Sequence, residues 1–275
     1  MISVQHLEFA HGRRTILQDV SLEISSGEVC ALMGCNGAGK TTLMRLVCGD
    51  LAADAGEIRF NNRPLRAWSA ADLAQVRAVM TQNPKLGFSF AAVDVVMLGR
   101  LPLHAGRAGR ADAEAAYKLL ELVDAADLAE RDFLTLSGGE QQRIHLARAL
   151  AQLRCDDMTD MRGRFLLLDE PTSNLDIKQQ HLMLRLVRRL ADAQGLGVVI
   201  IMHDLNMAAQ CADTICLLNS GRVLACGSPA RVLTQEHIAL AFGLEVDVQA
   251  HPHSAAPLIV PTAHHYSLRR LATAG

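Results

Sequence analysis

No stretch of this sequence is apolar for long enough to cross a bilayer. The strongest run, residues 196–202, falls far short of the ~20 residues that a spanning helix needs. The opening Met1-Ile2-Ser3-Val4 lacks the basic region and long apolar core of a secretory signal. If the protein serves a membrane, another chain must do the crossing. Cysteine is present but unpatterned. The seven, at positions 30, 35, 48, 155, 211, 216 and 226, include no Cys-x-x-Cys pair, which argues against a disulfide scaffold or a zinc site and fits a reducing cytosol. Net charge is nearly absent, at −2, so a nucleic-acid binder relying on a basic surface is not expected. Aromatics are scarce at 4%, yet half of the 275 residues are hydrophobic, enough to bury a proper core and to exclude disorder.

The chain begins as alternating strands. Ile2, Val4, Leu7 and Phe9 are followed by a turn at His11-Gly12-Arg13, and residues 16–24 resume with Val20, Leu22 and Ile24 alternating. Val29–Met33 is continuously apolar, as expected of a strand covered on both faces. A glycine-rich turn leads into a helix over 40–47, with Gly49 as its stop. Short strands are expected at 57–60 and 78–81, and the text is helical from about 91 to 153. Residues 154–164 read as a solvated loop, and 165–168 and 197–202 as buried strands. Between them lies an amphipathic helix over 178–192, with Leu182, Met183, Leu186, Val187 and Leu190 on one face. Asn219-Ser220-Gly221 marks a hairpin between 214–218 and 222–225. Buried strands alternating with helices imply a parallel sheet with right-handed crossovers. The expected fold is therefore α/β: a mostly parallel core sheet, an N-terminal antiparallel β subdomain and an inserted helical subdomain at about 88–160. Residues 1–250 form one domain and 251–275 a solvated tail, whose histidines (His251, His253, His264, His265) lack the Cys or carboxylate that would complete a metal shell.

Three motifs carry chemistry. Gly34-Cys35-Asn36-Gly37-Ala38-Gly39-Lys40-Thr41 matches G-x-x-x-x-G-K-[ST], between a buried strand and a helix as the phosphate-binding P-loop requires. Its glycines let backbone N–H groups wrap a phosphate, the helix N-terminus adds partial positive charge, Lys40 reaches the outer phosphates, and the Thr41 hydroxyl can bind Mg²⁺. Next, residues 165–168 run into Asp169 and Glu170 at the C-terminal edge of a strand, where ligands bind in open α/β sheets. Asp169 suits Mg²⁺ held through water and Glu170 suits a general base for water. Third, Leu136-Ser137-Gly138-Gly139-Glu140-Gln141 contains a capping box from Ser137 to Glu140. Its two glycines, each costing up to ~1 kcal/mol in a helix, suit an anion site where something approaches bare backbone.

In this order and spacing, the three motifs resemble the nucleotide-binding subunits of ABC transporters, over roughly residues 1–250. The P-loop positions 34–41 with Thr42 then bind ATP, with His11 where the family has an adenine-stacking aromatic and Cys35 where it usually has proline. The resemblance implies a Q-loop role for Gln82, which reaches Mg²⁺, and a D-loop at Ser173-Asn174-Leu175-Asp176 that crosses to a partner. It also implies a switch role for His203, against the γ-phosphate. The family's second copy supplies Ser137, Gly138 and Gly139 in trans, so two chains would sandwich two ATP molecules with Mg²⁺.

The resemblance further implies two polytopic transmembrane permease subunits, an indirect periplasmic substrate-binding protein, the cytoplasmic face of a bacterial inner membrane, and no nucleic acid as partner. The stretch Met97-Leu98-Gly99-Arg100-Leu101-Pro102-Leu103-His104 resembles importers of iron chelates, haem and cobalamin. Residues 135–143 with 146–153 most resemble the haem importer ATPases, ahead of siderophore or cobalamin systems and of soluble ABC-type ATPases. A GTPase is disfavoured because Asn83-Pro84-Lys85-Leu86 is not the guanine-reading Asn-Lys-x-Asp.

Overall fold

The computed structural model describes residues 1–81, 87, 89–103, 109–157 and 160–262. The chain opens with β1 (Ile2–His11) and β2 (Arg14–Ile24), paired antiparallel. It continues through β3 (Val29–Met33), α1 (Lys40–Cys48), β4 (Ala55–Phe60), the two-residue β5 (Arg63–Pro64), α2 (Ala70–Val76) and β6 (Arg77–Met80). A helical stretch follows, with α3 (Ala92–Leu98), α4 (Arg110–Leu122) and α5 (Gly138–Gln152). The chain then returns as β7 (Phe165–Asp169), α6 (Ile177–Gln194), β8 (Gly197–Ile201), α7 (Leu205–Cys211), β9 (Thr214–Asn219) and β10 (Arg222–Gly227). It ends with α8 (Pro229–Val232), α9 (Gln235–Phe242), β11 (Val246–Ala250) and β12 (Pro257–Pro261).

Six strands form the central sheet in the order β10-β9-β3-β8-β7-β6, parallel except for β10. A separate antiparallel sheet runs β2-β1-β4-β5. This is the expected architecture of a mostly parallel sheet with an N-terminal antiparallel β unit and helices inserted between β6 and β7. The continuous apolarity of the central strands has a direct cause. In β3, Val29, Ala31 and Met33 enter the core shared with the helices, while Cys30 and Leu32 enter the core under the antiparallel sheet. β7 divides in the same way, Leu166 and Leu168 against Phe165 and Leu167. A strand with cores on both faces has no polar face to alternate.

Three local expectations are corrected. The 154–164 segment is not a solvated loop throughout: Cys155 and Met161 are buried, and the Asp156 side chain, 4% exposed, pairs with Arg100. On α6, Leu182 is exposed, and the buried stripe runs instead through Met183, Leu184, Leu186, Val187 and Leu190. The folded chain also continues past residue 250. β12 pairs with β11, Ile259 is buried, and Asn206 of α7 holds the Ile259 backbone at both N–H (2.8 Å) and C=O (3.0 Å). Among the described residues, no helix is long and apolar enough to cross a membrane.

Candidate active site

The P-loop follows β3. Gly34 at its start has φ of 142°, and a Cβ there would lie 2.3 Å from the Leu218 carbonyl oxygen, so only glycine fits. The far side of the loop is tied to the β9–β10 hairpin. Ser220 and Gly221 both have positive φ, the tight hairpin turn expected from Asn-Ser-Gly. The Gly221 N–H donates to Ala38 O (3.2 Å), and Gly221 O accepts from the Gln18 N–H of β2 (2.8 Å). This turn fastens the loop to both sheets.

α1 begins at Lys40 with Gly39 at its N-cap in a left-handed conformation and no side-chain cap. Its leading N–H groups therefore have no side-chain acceptor, the arrangement that favours an anion at a helix N-terminus. The Lys40 ammonium is buried and donates to Gly34 O (2.8 Å) and Cys35 O (2.9 Å). Burial lowers its pKa, opposed by the negative fields of Cys35, Glu170 and Asp169. Cys35 and Thr42 are half-buried, Ala38 and Gly39 buried, and Asn36, Gly37 and Thr41 exposed.

Two acids face Lys40 from the end of β7. Asp169 is raised above the usual carboxylate range, chiefly by burial and then by the charge of Glu170 beside it, with Lys40 and His203 pulling the other way. Its Oδ1 is buried and accepts no hydrogen bond from the described residues. Glu170 sits just past the strand with φ of 50°, a left-handed conformation that costs a non-glycine residue of order 1 kcal/mol and collects at functional sites. Its Oε1 lies 2.6 Å from His203 Nε2, and its carbonyl accepts from Gln142 Nε2 (3.2 Å) and Ser173 Oγ (3.1 Å). His203 follows β8, one strand over. The fold thus brings Lys40, Asp169, Glu170 and His203 together along the C-terminal edges of β3, β7 and β8.

The donor set fits a hard divalent cation. A buried, unpartnered carboxylate oxygen on Asp169 and the exposed Thr41 hydroxyl offer oxygen ligands beside the anion site. Among the described residues no three His, Cys, Asp or Glu side chains converge to hold a metal.

Other expected residues lie elsewhere. Ser137 is the N-cap of α5 in a complete capping box. Its N–H and Oγ both meet Glu140 Oε2 at 2.7 Å, which holds Glu140 below the usual carboxylate range. Of the two glycines, only Gly138 has room for a Cβ, which would meet Asn174 at 3.7 Å. A Cβ at Gly139 would lie 3.2 Å from Asn174 O and 3.3 Å from Leu175 Cδ2, so this chain's own 173–176 segment accounts for that glycine. Asp176 caps α6, accepting from the Gln179 N–H at 2.8 Å. His11 lies exposed at the end of β1 in the antiparallel sheet. Gln82, His104, His264 and His265 fall outside the described residues.

Sequence reasoning missed Gln142. It is buried in α5 and joins that helix to the Glu170 carbonyl. The signal was a second glutamine where the helix turns inward, easily read as one more surface amide.

Comparisons place this geometry. The ABC transporter family model matches residues 17–173. The hemin import ATP-binding protein HmuV of Pseudomonas fluorescens (strain Pf0-1) is 45% identical over 260 residues, covering 94% of this chain and 99% of that protein. Its counterpart from Escherichia coli O157:H7 is 44% identical over the same shares. Among solved structures, the inward-facing conformation of a putative metal-chelate type ABC transporter aligns with a TM-score of 0.78 and 28% identity, covering 95% of this chain and 97% of that chain. A P-loop, an acid pair and a serine-capped, glycine-headed helix in this order, with likeness along nearly the whole length, lead to one conclusion: the chain belongs to the ABC transporter ATP-binding family.

Proposed function

We propose that this chain binds and hydrolyses ATP to energise import of haem. The observation that carries the cargo is the likeness, at 44–45% identity over 94% of the chain, to proteins named for hemin import. The cluster at the edges of β3, β7 and β8 supports the hydrolysis.

In this reading the P-loop N–H groups and the uncapped start of α1 receive the phosphates, and Lys40 turns from the Gly34 and Cys35 carbonyls to the β- and γ-phosphates. Thr41, Asp169 and Gln82 would hold Mg²⁺, which would supply positive charge to the transferring phosphoryl group. Glu170 takes a proton from the attacking water, and His203, already 2.6 Å from its carboxylate, fixes its orientation and meets the γ-phosphate. His11 stacks on the adenine.

Phosphoryl transfer needs more positive charge than Lys40 alone provides. Ser137, Gly138 and Gly139 of a second copy, with Asp176 from the crossing segment, complete the site, and closure of the pair excludes water. Opening and closing works on two transmembrane permease subunits through the helices between β6 and β7. A periplasmic binding protein delivers the cargo to the far side of a bacterial inner membrane.

The test is ATP hydrolysis by the chain reconstituted with its permease in vesicles. Haem-loaded binding protein is expected to raise the rate several-fold. Stimulation by a ferric-siderophore-loaded protein instead would reassign the cargo and leave the ATPase reading standing.

A further inference from the structure

Three cysteines lie on adjacent strands of the central sheet, Cys30 on β3, Cys216 on β9 and Cys226 on the edge strand β10. Cys216 of β9 and Cys226 of β10 are direct partners in the antiparallel register, and Leu32, two residues beyond Cys30, pairs with Cys216 on the other side. Directly opposed residues of an antiparallel pair have Cα atoms about 4.5–5.5 Å apart, within the span that a disulfide bridges without backbone movement. Both thiols are free. They differ in access: Cys216 is completely buried, whereas Cys226 is exposed on the edge strand. The two share a hydrogen bond that favours the thiolate of Cys226, lowering its pKa, while burial and the same bond raise Cys216. An accessible thiolate-forming cysteine beside a buried partner is the arrangement of an attacking and a resolving thiol. Cys30, Cys48, Cys155 and Cys211 are buried, with thiols raised mainly by burial, and none offers an accessible alternative.

We propose that Cys226 and Cys216 form a thiol-modification site that a low-molecular-weight disulfide of the glutathione type oxidises to a cross-strand disulfide. The Cys226 thiolate attacks one sulfur of the oxidant, forming a mixed disulfide and expelling one thiolate. Cys216 gives up its proton and attacks the Cys226 sulfur, closing the protein disulfide and expelling the second thiolate. Two electrons and two protons pass from the pair to the oxidant, which leaves as two thiols. The stem so locked belongs to the hairpin whose turn bonds Ala38 of the P-loop and whose Leu218 carbonyl abuts Gly34, so the modified state lies against the nucleotide site.

The experiment treats the full-length protein with oxidised glutathione and maps thiols by mass spectrometry. The expected product has lost two hydrogens, carries a 216–226 cross-link, and melts about 5 °C higher than the reduced form. Cys216→Ser is expected to stop at one glutathione on Cys226, and Cys226→Ser to form neither adduct nor cross-link at this pair. A wild-type protein that keeps glutathione on Cys226 without closing the bond overturns the proposal. So does one whose 216 and 226 thiols are both alkylated, once the protein is unfolded, after oxidant has reacted at Cys35.

Discussion

Two clusters in this molecule each combine one basic side chain with two carboxylates, and they are built to opposite ends. Within the helices, Arg100 is buried against Asp112 (3.1 Å) and Asp156 (2.9 and 3.2 Å), with a further donor to Ala151 O. It fastens the end of α3 to the start of α4 and to the segment after α5. At the sheet edge, Lys40 donates to two backbone carbonyls, and Asp169 keeps a buried oxygen without a hydrogen-bond partner among the described residues. The first cluster is satisfied within the chain; the second leaves a buried carboxylate oxygen that no described residue meets. Buried charge alone does not mark a site. What marks it is the buried Asp169 oxygen that the described residues leave without a partner.

The sharpest way to test the contrast is Glu170→Gln. Hydrolysis is expected to fall by roughly 10²–10⁴-fold while ATP binding persists, and with Mg-ATP the protein should run as a dimer on size exclusion. A variant that bound ATP normally but stayed monomeric would defeat the paired site. Arg100→Ala leaves two carboxylates buried without their cation and should destabilise by about 3–5 kcal/mol, lowering Tm by roughly 10 °C. Calorimetry that found no loss would remove the distinction between the clusters.

Asp169→Asn should move the other way. With its folded pKa raised, the native protein holds this proton more tightly than the unfolded chain does. The charged form therefore weakens folding as pH rises through the window above the ordinary carboxylate value. The nucleotide-free variant is expected to melt higher than wild type at neutral pH, with the gap closing in acid, and to lose ATPase activity. An equal or lower Tm at neutral pH would mean the charge is not a burden. The smallest effect belongs to Gly138→Ala. A Cβ there would meet Asn174 at 3.7 Å, an ordinary van der Waals contact, so stability should hold or rise by up to ~1 kcal/mol while ATPase falls. An unchanged rate would show that nothing approaches this backbone.

Much of this was readable beforehand because it is local. The strand, glycine loop and helix around Lys40, the capping box at Ser137 and the Ser220-Gly221 turn each depend on neighbours within a few residues. What escaped depends on distant partners. Asp156 reads as a loop acid until Arg100, 56 residues away, is folded against it. The glycine of Leu98-Gly99-Arg100 reads as family habit until the Arg148 carbonyl is found 2.1 Å from where its Cβ would lie, packing α3 on α5. Residues 251–262 look like a polar, proline-rich end because the strand they add is short and draws its burial from α7. The four groups at the sheet edge were foreseen singly; that Glu170 would take a left-handed backbone was not, since nothing in its side chain asks for it.

The grip of Asn206 on Ile259 gives the C-terminal segment a reach beyond its size. α7 starts just after His203, capped by Asp204, and its outer side is pinned by this one amide. Cutting the chain at residue 250 would therefore do more than trim it. It would unfasten a brace from the helix that follows His203, and slacken the sheet edge beside Glu170 from behind.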